Sequence, residues 1–166
     1  MTILIAFPIL GGLLMFQSAV ASQIPLLHGT VDLLLLALVG WALQKRVDTA
    51  WHWALIGGLL YSLASALPVG IMLAGYLGVV AVATLIKRRI WPVPLLALLV
   101  TVFMGTLLTH SLSFLALALS GTPLPLLQAI NQVTLPSLLL NILLAIPIYS
   151  IMGELAGWLY PLEIEV

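Results

Sequence analysis

Three ionisable side chains, Asp32, His110 and Glu154, interrupt long apolar runs of this sequence. An ionisable group in hydrocarbon costs at least about 2.5 kcal/mol, so each of the three is a candidate for a functional role. Membrane-embedded enzymes need paired carboxylates, a serine–histidine or serine–lysine dyad, or a histidine-rich zinc motif, and the sequence has none of these spacings. The sequence therefore predicts no enzyme, no catalytic residue, no metal site and no cofactor.

The composition indicates where these residues must lie. Of 166 residues, 63% are hydrophobic and 6% are charged, and the mean hydropathy of +1.28 is far outside the range of a soluble domain. The formal net charge is zero and no basic run is long enough for nucleic acid, so we exclude a nucleic-acid partner. The absence of cysteine excludes disulfides and thiolate chemistry. The sequence predicts an integral membrane protein.

Polar and proline-containing breaks divide the chain into six apolar segments, each close to the roughly 20 residues that a helix needs to cross a bilayer. We predict one domain over 1–166, an all-α bundle of six transmembrane helices with an outer loop over 120–136. In that loop Leu127, Ile130 and Val133 recur at helical spacing, which leaves a short surface helix and an irregular loop as alternatives. The predicted spans are about 3–21, 25–43, 51–67, 70–86, 94–119 and 137–159.

The five basic residues lie in two predicted loops, Lys45-Arg46 after the second span and Lys87–Arg89 after the fourth. Both loops face the same side, and the positive-inside rule makes that side cytoplasmic. With six spans, both termini are then cytoplasmic, as expected of an inner-membrane bundle. The tryptophans flank the same side, where indoles favour the headgroup layer: Trp41, Trp51, Trp53, Trp91 and Trp158.

Each of the three ionisable residues also has a purely structural interpretation. If the second helix begins near Thr30, this residue is its N-cap, and Asp32 offsets the helix dipole in the first turn at the outer surface. Glu154 lies roughly one and a half turns before Tyr160 and extends to the cytoplasmic headgroups. For His110, in the outer half of the fifth span, a hydrogen bond to a neighbouring helix is the commoner arrangement, and a pair with Asp32 is the alternative.

Small residues recur every four positions on two consecutive spans. Helices in lipid associate through close packing of small residues. The connection at Leu67-Pro68 is so short that the two spans must be antiparallel neighbours. We therefore expect the two ridges to meet as the tightest crossing of the bundle. They consist of Ala54, Gly58, Ser62 and Ala66 on the third span and Gly70, Ala74 and Gly78 on the fourth.

The last span carries another such motif, Gly153-x-x-x-Gly157. A motif of this kind serves internal packing or docks a helix from another protein. Because the chain has several small-residue faces and few polar groups, the sequence favours a scaffold or partner-binding role. We predict that Gly153 and Gly157 form the surface for a partner helix, with Glu154 at its inner rim.

Three short stretches, taken with the length, span number and topology, carry a resemblance to a known family. They are Asp32–Leu36 at the start of the second span, Gly58–Ser62 leading to Pro68–Gly70, and Leu140–Leu144 with Pro147 and Tyr149 in the last span. Over about residues 30–160 the chain resembles MreD, the small membrane component of the bacterial rod-shape and cell-wall elongation machinery. One position departs from the pattern, since the family commonly has an acidic residue where this chain has Ser62.

The resemblance implies a non-enzymatic scaffold of the cell-elongation complex that supports peptidoglycan synthesis and rod shape. Its implied partner is an MreC-like protein with one membrane helix and a large extracytoplasmic domain. The wall synthase pair, a polytopic glycosyltransferase and a penicillin-binding transpeptidase, would act beside it, and membrane lipid would surround the complex. The resemblance also implies a six-helix fold similar to the substrate-binding subunits of energy-coupling-factor vitamin transporters.

A vitamin-binding subunit of such a transporter is therefore the main alternative function. It would also be small, basic on its inner face and without catalytic residues. It should, however, enclose an outward-facing pocket lined by several converging polar groups. The groups that could line such a pocket here are Asp32, His110, Asn141 and the amides of the outer loop.

Overall fold

The computed structural model describes residues 2–19, 28–68, 70–89, 93–122 and 125–161. Within these ranges every regular element is a helix and none is a strand. A π-helical segment, Ile130–Thr134, joins the short α6 to α7, so that 126–159 is one continuous helix. The elements are α1 (Thr2–Ala19), α2 (Leu33–Ala42), α3 (Ala50–Ala64), α4 (Ile71–Arg89), α5 (Pro94–Leu119), α6 (Leu126–Ala129) and α7 (Leu135–Leu159).

Three helical segments are long and apolar enough to cross a membrane, namely Ile71–Arg89, Pro94–Leu119 and Leu126–Leu159. Two further helices, Ile3–Ala19 and Leu33–Ala42, are apolar but shorter. At a rise of about 1.5 Å per residue, a ten-residue helix such as α2 covers half of a hydrocarbon core roughly 30 Å thick. The described part of the chain thus has the helices of a membrane protein, and they differ widely in length.

The helix bounds coincide with the expected segment in α5 and differ from it most in α2. The expected N-cap at Thr30 is wrong, because the carboxylate of Asp32 caps α2 by accepting a hydrogen bond from the Leu35 amide at 2.9 Å. The helix therefore starts at Leu33, far inside the expected 25–43, of which 25–27 lie outside the described residues. At the other end of the chain, helix extends from Leu126 into α7, so most of the expected outer loop 120–136 is helical.

α2 is the central helix of the bundle. All ten of its residues are buried, and it contacts α1, α3, α4, α5 and α7. The buried, non-helical backbone just before α2 needs hydrogen-bond partners from the protein, and side chains of other helices provide them. The amides of Thr30, Asp32 and Leu33 donate to Ser137 Oγ at 3.0 Å, Asn141 Oδ1 at 2.8 Å and Gln17 Oε1 at 2.7 Å. Protein surrounds α2, which is why a helix too short to span a bilayer is accommodated.

α3 and α4 approach each other closely at Gly58. A Cβ atom added there would lie 2.7 Å from the Cα atom of Leu73, so the two backbones nearly touch. Ala54 is fully buried and Ser62 is 5% exposed, on the same side of α3. Ala66 lies beyond the end of the helix and is exposed, so it takes no part in this crossing.

The expected contact between two small-residue ridges is wrong for α4. A Cβ atom at Gly78 would meet the Leu108 side chain of α5 at 2.8 Å, Ala74 is exposed, and Gly70 has no atom near its Cβ position. Gly70 instead has a φ of +101°, which an L side chain rarely adopts, in the turn before α4. The gap at Gly58 is filled by the large side chain of Leu73, since a small residue on one helix accommodates a large one on its neighbour.

Hydrogen bonds bring the two basic loops together at one end of the bundle, here called the basic end. Lys87 Nζ donates to the carbonyl oxygens of Gln44 and Val47, which ties the end of α4 to the α2–α3 loop. Arg46 Nη1 donates to the Tyr160 carbonyl at 3.0 Å, which ties the same loop to the end of α7. The opposite end, where α2 begins, is called the far end.

The expected headgroup position is wrong for two of the tryptophans. Trp41 and Trp53 are fully buried, and their rings stack with centroids 4.2 Å apart and planes at 21°. Neither indole N–H has an acceptor among the described residues. Trp51 and Trp158 are 46% and 73% exposed near the basic end, while Trp91 lies outside the described residues. Two of the four tryptophans that the structure describes therefore lie in the protein core.

Candidate functional site

A group of polar side chains in the interior towards the far end is here called the Asp32 cluster; it comprises Asp32, Tyr76, Thr106 and Asn141. The Tyr76 hydroxyl lies 3.0 and 3.1 Å from the two carboxylate oxygens of Asp32. Asn141 accepts from the Asp32 amide through Oδ1 at 2.8 Å and donates through Nδ2 to Thr106 Oγ1 at 3.0 Å. The cluster thus joins four parts of the chain: the start of α2, α4, α5 and α7.

The Asp32 cluster is internally satisfied. Tyr76, Thr106 and Asn141 are fully buried, and Asp32 is half-buried with bonds from a backbone amide and a hydroxyl. Tyr61 adds an edge-on ring contact to Tyr76, with centroids 5.7 Å apart. Among the residues that the structure describes, no three metal-ligating side chains come together. The cluster holds four elements in register, since each bond removes a polar group from an apolar surrounding.

A small cavity opens beside this cluster at the far end. It has a volume of about 200 Å³, and Gln17, Thr30, Tyr61 and Ser65 are among its walls. Sites for drug-sized ligands have volumes of roughly 300–1,000 Å³. The Gln17 oxygen already accepts from the Leu33 amide, so part of the polar wall is engaged. The space suits a few water molecules better than a vitamin.

His110 lies one turn of α5 after Thr106 of the Asp32 cluster, but its hydrogen bond is to a different residue. Its Nδ1 atom lies 3.2 Å from Thr134 Oγ1 of the π-helical segment, and Phe114 contacts its ring edge-on. An apolar groove of about 560 Å³ runs between α5 and Leu126–Leu135 beside this histidine. The alternative of an Asp32–His110 pair is wrong, because each side chain has its own partners on different helices. A bond from a lone histidine to a neighbouring helix is what the structure contains.

The two glycines of the α7 motif have different surroundings. The Cβ position of Gly153 is 3.5 Å from the Gln44 side chain, so this residue contributes to internal packing against the α2–α3 loop. Gly157 is exposed, and no atom lies within 4 Å of its Cβ position. The expectation of one free face containing both glycines is therefore wrong at Gly153. Glu154 is exposed between them.

The sequence singles out Asp32 and Asn141 but not Tyr76, Thr106 or Ser137, which the structure places in the Asp32 cluster or next to it. Tyr76 and Thr106 are polar residues within apolar helices. Ser137 and Asn141 stand four positions apart on α7, and their bonds to Thr30 and Asp32 show that they face the start of α2. That i, i+4 spacing of polar groups was the available signal.

Among the residues chosen for packing, Ser62 also has an unusual environment. Its hydroxyl is buried and has no hydrogen-bond partner among the described residues. It lies on the face of α3 that carries Ala54 and Gly58, where small size matters more than polarity.

Comparison of the chain with known protein families, characterised proteins and solved structures gives no match.

Proposed function

We propose that this chain is a non-enzymatic membrane scaffold of the cell-elongation machinery, which binds the membrane helix of an MreC-like partner and supports peptidoglycan synthesis by the wall synthase pair. The proposal depends on the sequence resemblance to MreD and on one structural observation. That observation is the outward face of α7, which changes character along its length. Near the basic end it presents the small and polar residues Ser150, Glu154 and Gly157 next to the large exposed side chains of Ile151 and Trp158.

The first half of that face is typical of a surface against lipid. Leu139, Leu143 and Ile146 are 59%, 69% and 48% exposed. On α5 the exposed positions include large apolar residues such as Met104 and Leu115, together with Ser111 and Ala118. Large apolar side chains fill the space between a helix and disordered acyl chains.

The second half of the face is different. Ser150, Glu154 and Gly157 are all exposed, at spacings of four and three residues. Small residues let two helix backbones approach closely, and Ser150 and Gly157 are one heptad apart, as in the left-handed crossings common in membranes. This half of α7 is therefore the surface that best fits a partner helix. It shifts the expected site from the Gly153–Gly157 pair to Ser150 and Gly157.

The vitamin-carrier alternative has less support. Asn141 accepts a hydrogen bond from the Asp32 backbone amide and donates one to Thr106, and the Asp32 carboxylate accepts one from Tyr76. Their polar atoms are therefore already engaged. His110 lines a different, apolar groove. A binding site for a vitamin needs convergent polar groups with capacity for the ligand. Asp32 and Asn141 do converge but their polar atoms are already bonded, and His110 bonds to Thr134 instead.

The proposed topology has six spans with both termini in the cytoplasm of a bacterial inner membrane. The gathering of all five basic side chains at one end, beside the exposed Trp51 and Trp158, supports this orientation. A reporter fused after Arg89 should be active in the cytoplasm, and one fused near Gln128 in the periplasm. The reverse pattern would contradict both the orientation and the number of spans.

Purification from native membranes tests the scaffold function. An MreC-like protein should copurify with the wild-type chain. Gly157→Leu should lower its affinity, and with it the recovery, at least about fivefold, since overpacking a helix contact costs about 1–3 kcal/mol. His110→Ala is the control and should leave recovery unchanged. A bound vitamin that disappears in Asp32→Asn, without any such partner, would contradict the proposal.

A further inference from the structure

The basic end contains a concave site that the partner-binding proposal does not use. It is a cavity of about 520 Å³ between the α2–α3 loop, the start of α3 and the end of α4. This volume lies in the usual range of roughly 300–1,000 Å³ for ligand sites. We call it the basic pocket, and its polar and aromatic walls are Lys45, Asp48, Trp51, Thr84, Lys87 and Arg88.

The charges of the basic pocket favour an anion. Among the described residues that line it, Lys45, Lys87 and Arg88 contribute three cationic groups and Asp48 contributes one carboxylate. The ammonium of Lys87 donates two hydrogen bonds to loop carbonyls, so it is held in place at the wall of the pocket. An ammonium has three donors, so one remains for a ligand. Arg88 is exposed, and its planar guanidinium suits two oxygens of a phosphate.

The apolar surroundings of the pocket point to a lipid. The indole of Trp51 is 46% exposed at the pocket wall, and Val47 and Ala50 complete the apolar part of the lining. Leu85, which follows Thr84 of the wall in the sequence and does not line the pocket itself, is 62% exposed. Arginine, lysine and tryptophan at the end of a spanning helix lie at headgroup depth. A ligand with a phosphate and attached acyl chains would satisfy both kinds of wall at once, whereas a free anion would leave the apolar surface exposed.

We propose that the basic pocket binds the headgroup of an anionic phospholipid, with its phosphate between Arg88 and the two lysines and its acyl chains against Trp51 and Leu85. Pockets of basic side chains between helix ends are a recurring way to bind acidic headgroups. Bound lipid would bridge α4 and the α2–α3 loop, which Lys87 already joins. This inference does not depend on the identity of the partner helix, and its test uses the purified chain alone.

The test compares dioleoyl phosphatidylglycerol with dioleoyl phosphatidylcholine added to delipidated protein in detergent. Native mass spectrometry counts bound lipid, and thermal unfolding measures the stabilisation. Phosphatidylglycerol should bind more tightly than phosphatidylcholine and raise the unfolding temperature more. The double variant Lys45→Gln/Arg88→Gln should weaken phosphatidylglycerol binding about thirty-fold, because each cation near an anionic headgroup strengthens binding about five- to sixfold.

The matched control is Arg46→Gln/Arg89→Gln, which removes the same charge from the adjacent positions. Neither residue lines the pocket, and binding should change less than about threefold. Equal losses in the two double variants would show general charge attraction and overturn the proposal. Equal binding of the two lipids would do the same.

Two further arms separate other occupants from the lipid. Inorganic phosphate at millimolar concentration should fail to displace phosphatidylglycerol, since it lacks the acyl chains; displacement would indicate a site for a free anion. The acidic tail with Glu163 and Glu165 is the other rival. If a chain ending at Pro161 bound phosphatidylglycerol more than about threefold tighter, the tail would be the occupant and the proposal would be wrong.

Discussion

The α3–α4 crossing and the outward face of α7 begin from the same sequence feature and end in opposite environments. Each has small residues four positions apart, with Gly58 in α3 and Gly157 in α7. At Gly58 the neighbouring backbone is so close that an added Cβ atom would overlap it. At Gly157 the same atom would meet open space. Small-residue spacing makes close approach possible but does not determine which helix, if any, approaches.

The difference has a local cause in each region. α3 and α4 are joined by a short connection between Ala64 and Ile71, so they must pack as neighbours, and Leu73 fills the gap at Gly58. α7 meets α2 and α5 with its other face, which contains the buried Asn141 and Ala145. The helices of this chain cover that inner face and leave Gly157 exposed. Glycine substitutions should therefore have graded effects on stability.

The largest effect should come from Gly58→Ala. The new methyl group would meet the Leu73 backbone at 2.7 Å, which no side-chain rotation relieves. We expect a loss of about 2–3 kcal/mol in the free energy of unfolding, and a lower folded yield for Gly58→Leu. Gly57→Ala is the matched control, because its methyl group would meet flexible leucine side chains at 3.4 Å or more. Thermal unfolding in detergent compares the two, and equal stabilities would show that the crossing is loose.

A smaller effect should come from Gly70→Ala. At φ +101° an L residue is strained, although there is space for the methyl group. We expect a loss of about 1 kcal/mol in the free energy of unfolding. Gly70→Asn should lose less, because asparagine tolerates left-handed backbone better than alanine. If alanine and asparagine were equally tolerated, conformational strain would not be the reason for glycine at this turn.

Gly78→Ala should have a smaller effect still. Its methyl group would meet Leu108 Cδ2 at 2.8 Å, but this atom is the far end of a flexible side chain. The cost of moving the Leu108 side chain and the gain from the better helix propensity of alanine should cancel, so that the free energy of unfolding changes by less than about 0.5 kcal/mol. A loss as large as that of Gly58→Ala, measured by the same thermal unfolding, would mean that α4 and α5 are as tightly fixed as α3 and α4.

Gly157→Ala should leave the thermal stability of the purified chain unchanged or raise it slightly. Alanine favours helix over glycine by about 1 kcal/mol, and no atom lies near the new methyl group. The thermal midpoint of the chain alone should hold or rise, while recovery of the partner helix falls. A lower midpoint without any partner would indicate that Gly157 serves internal packing, as Gly58 does.

The sequence by itself determined the features that depend on local composition. Twenty or so apolar residues in a row form a helix in lipid whatever surrounds them, because backbone hydrogen bonds must be satisfied within the segment. The helical character of every regular element among the described residues and the bounds of α5 follow from this rule. The gathering of Lys45, Arg46 and Lys87–Arg89 at one end also follows, since loops after alternate spans face the same side.

The tertiary structure alone decided which residues meet. Asp32 and Asn141 are 109 positions apart, and nothing in the sequence near either residue indicates that the backbone N–H of Asp32 donates to the side-chain oxygen of Asn141. Tryptophan favours the membrane–water interface, yet Trp41 and Trp53 stack on each other in the protein core. Hydropathy measures the transfer of a segment from water to lipid, whereas packing depends on shape between distant segments. Two glycines with the same spacing signal, Gly58 and Gly157, therefore have opposite surroundings.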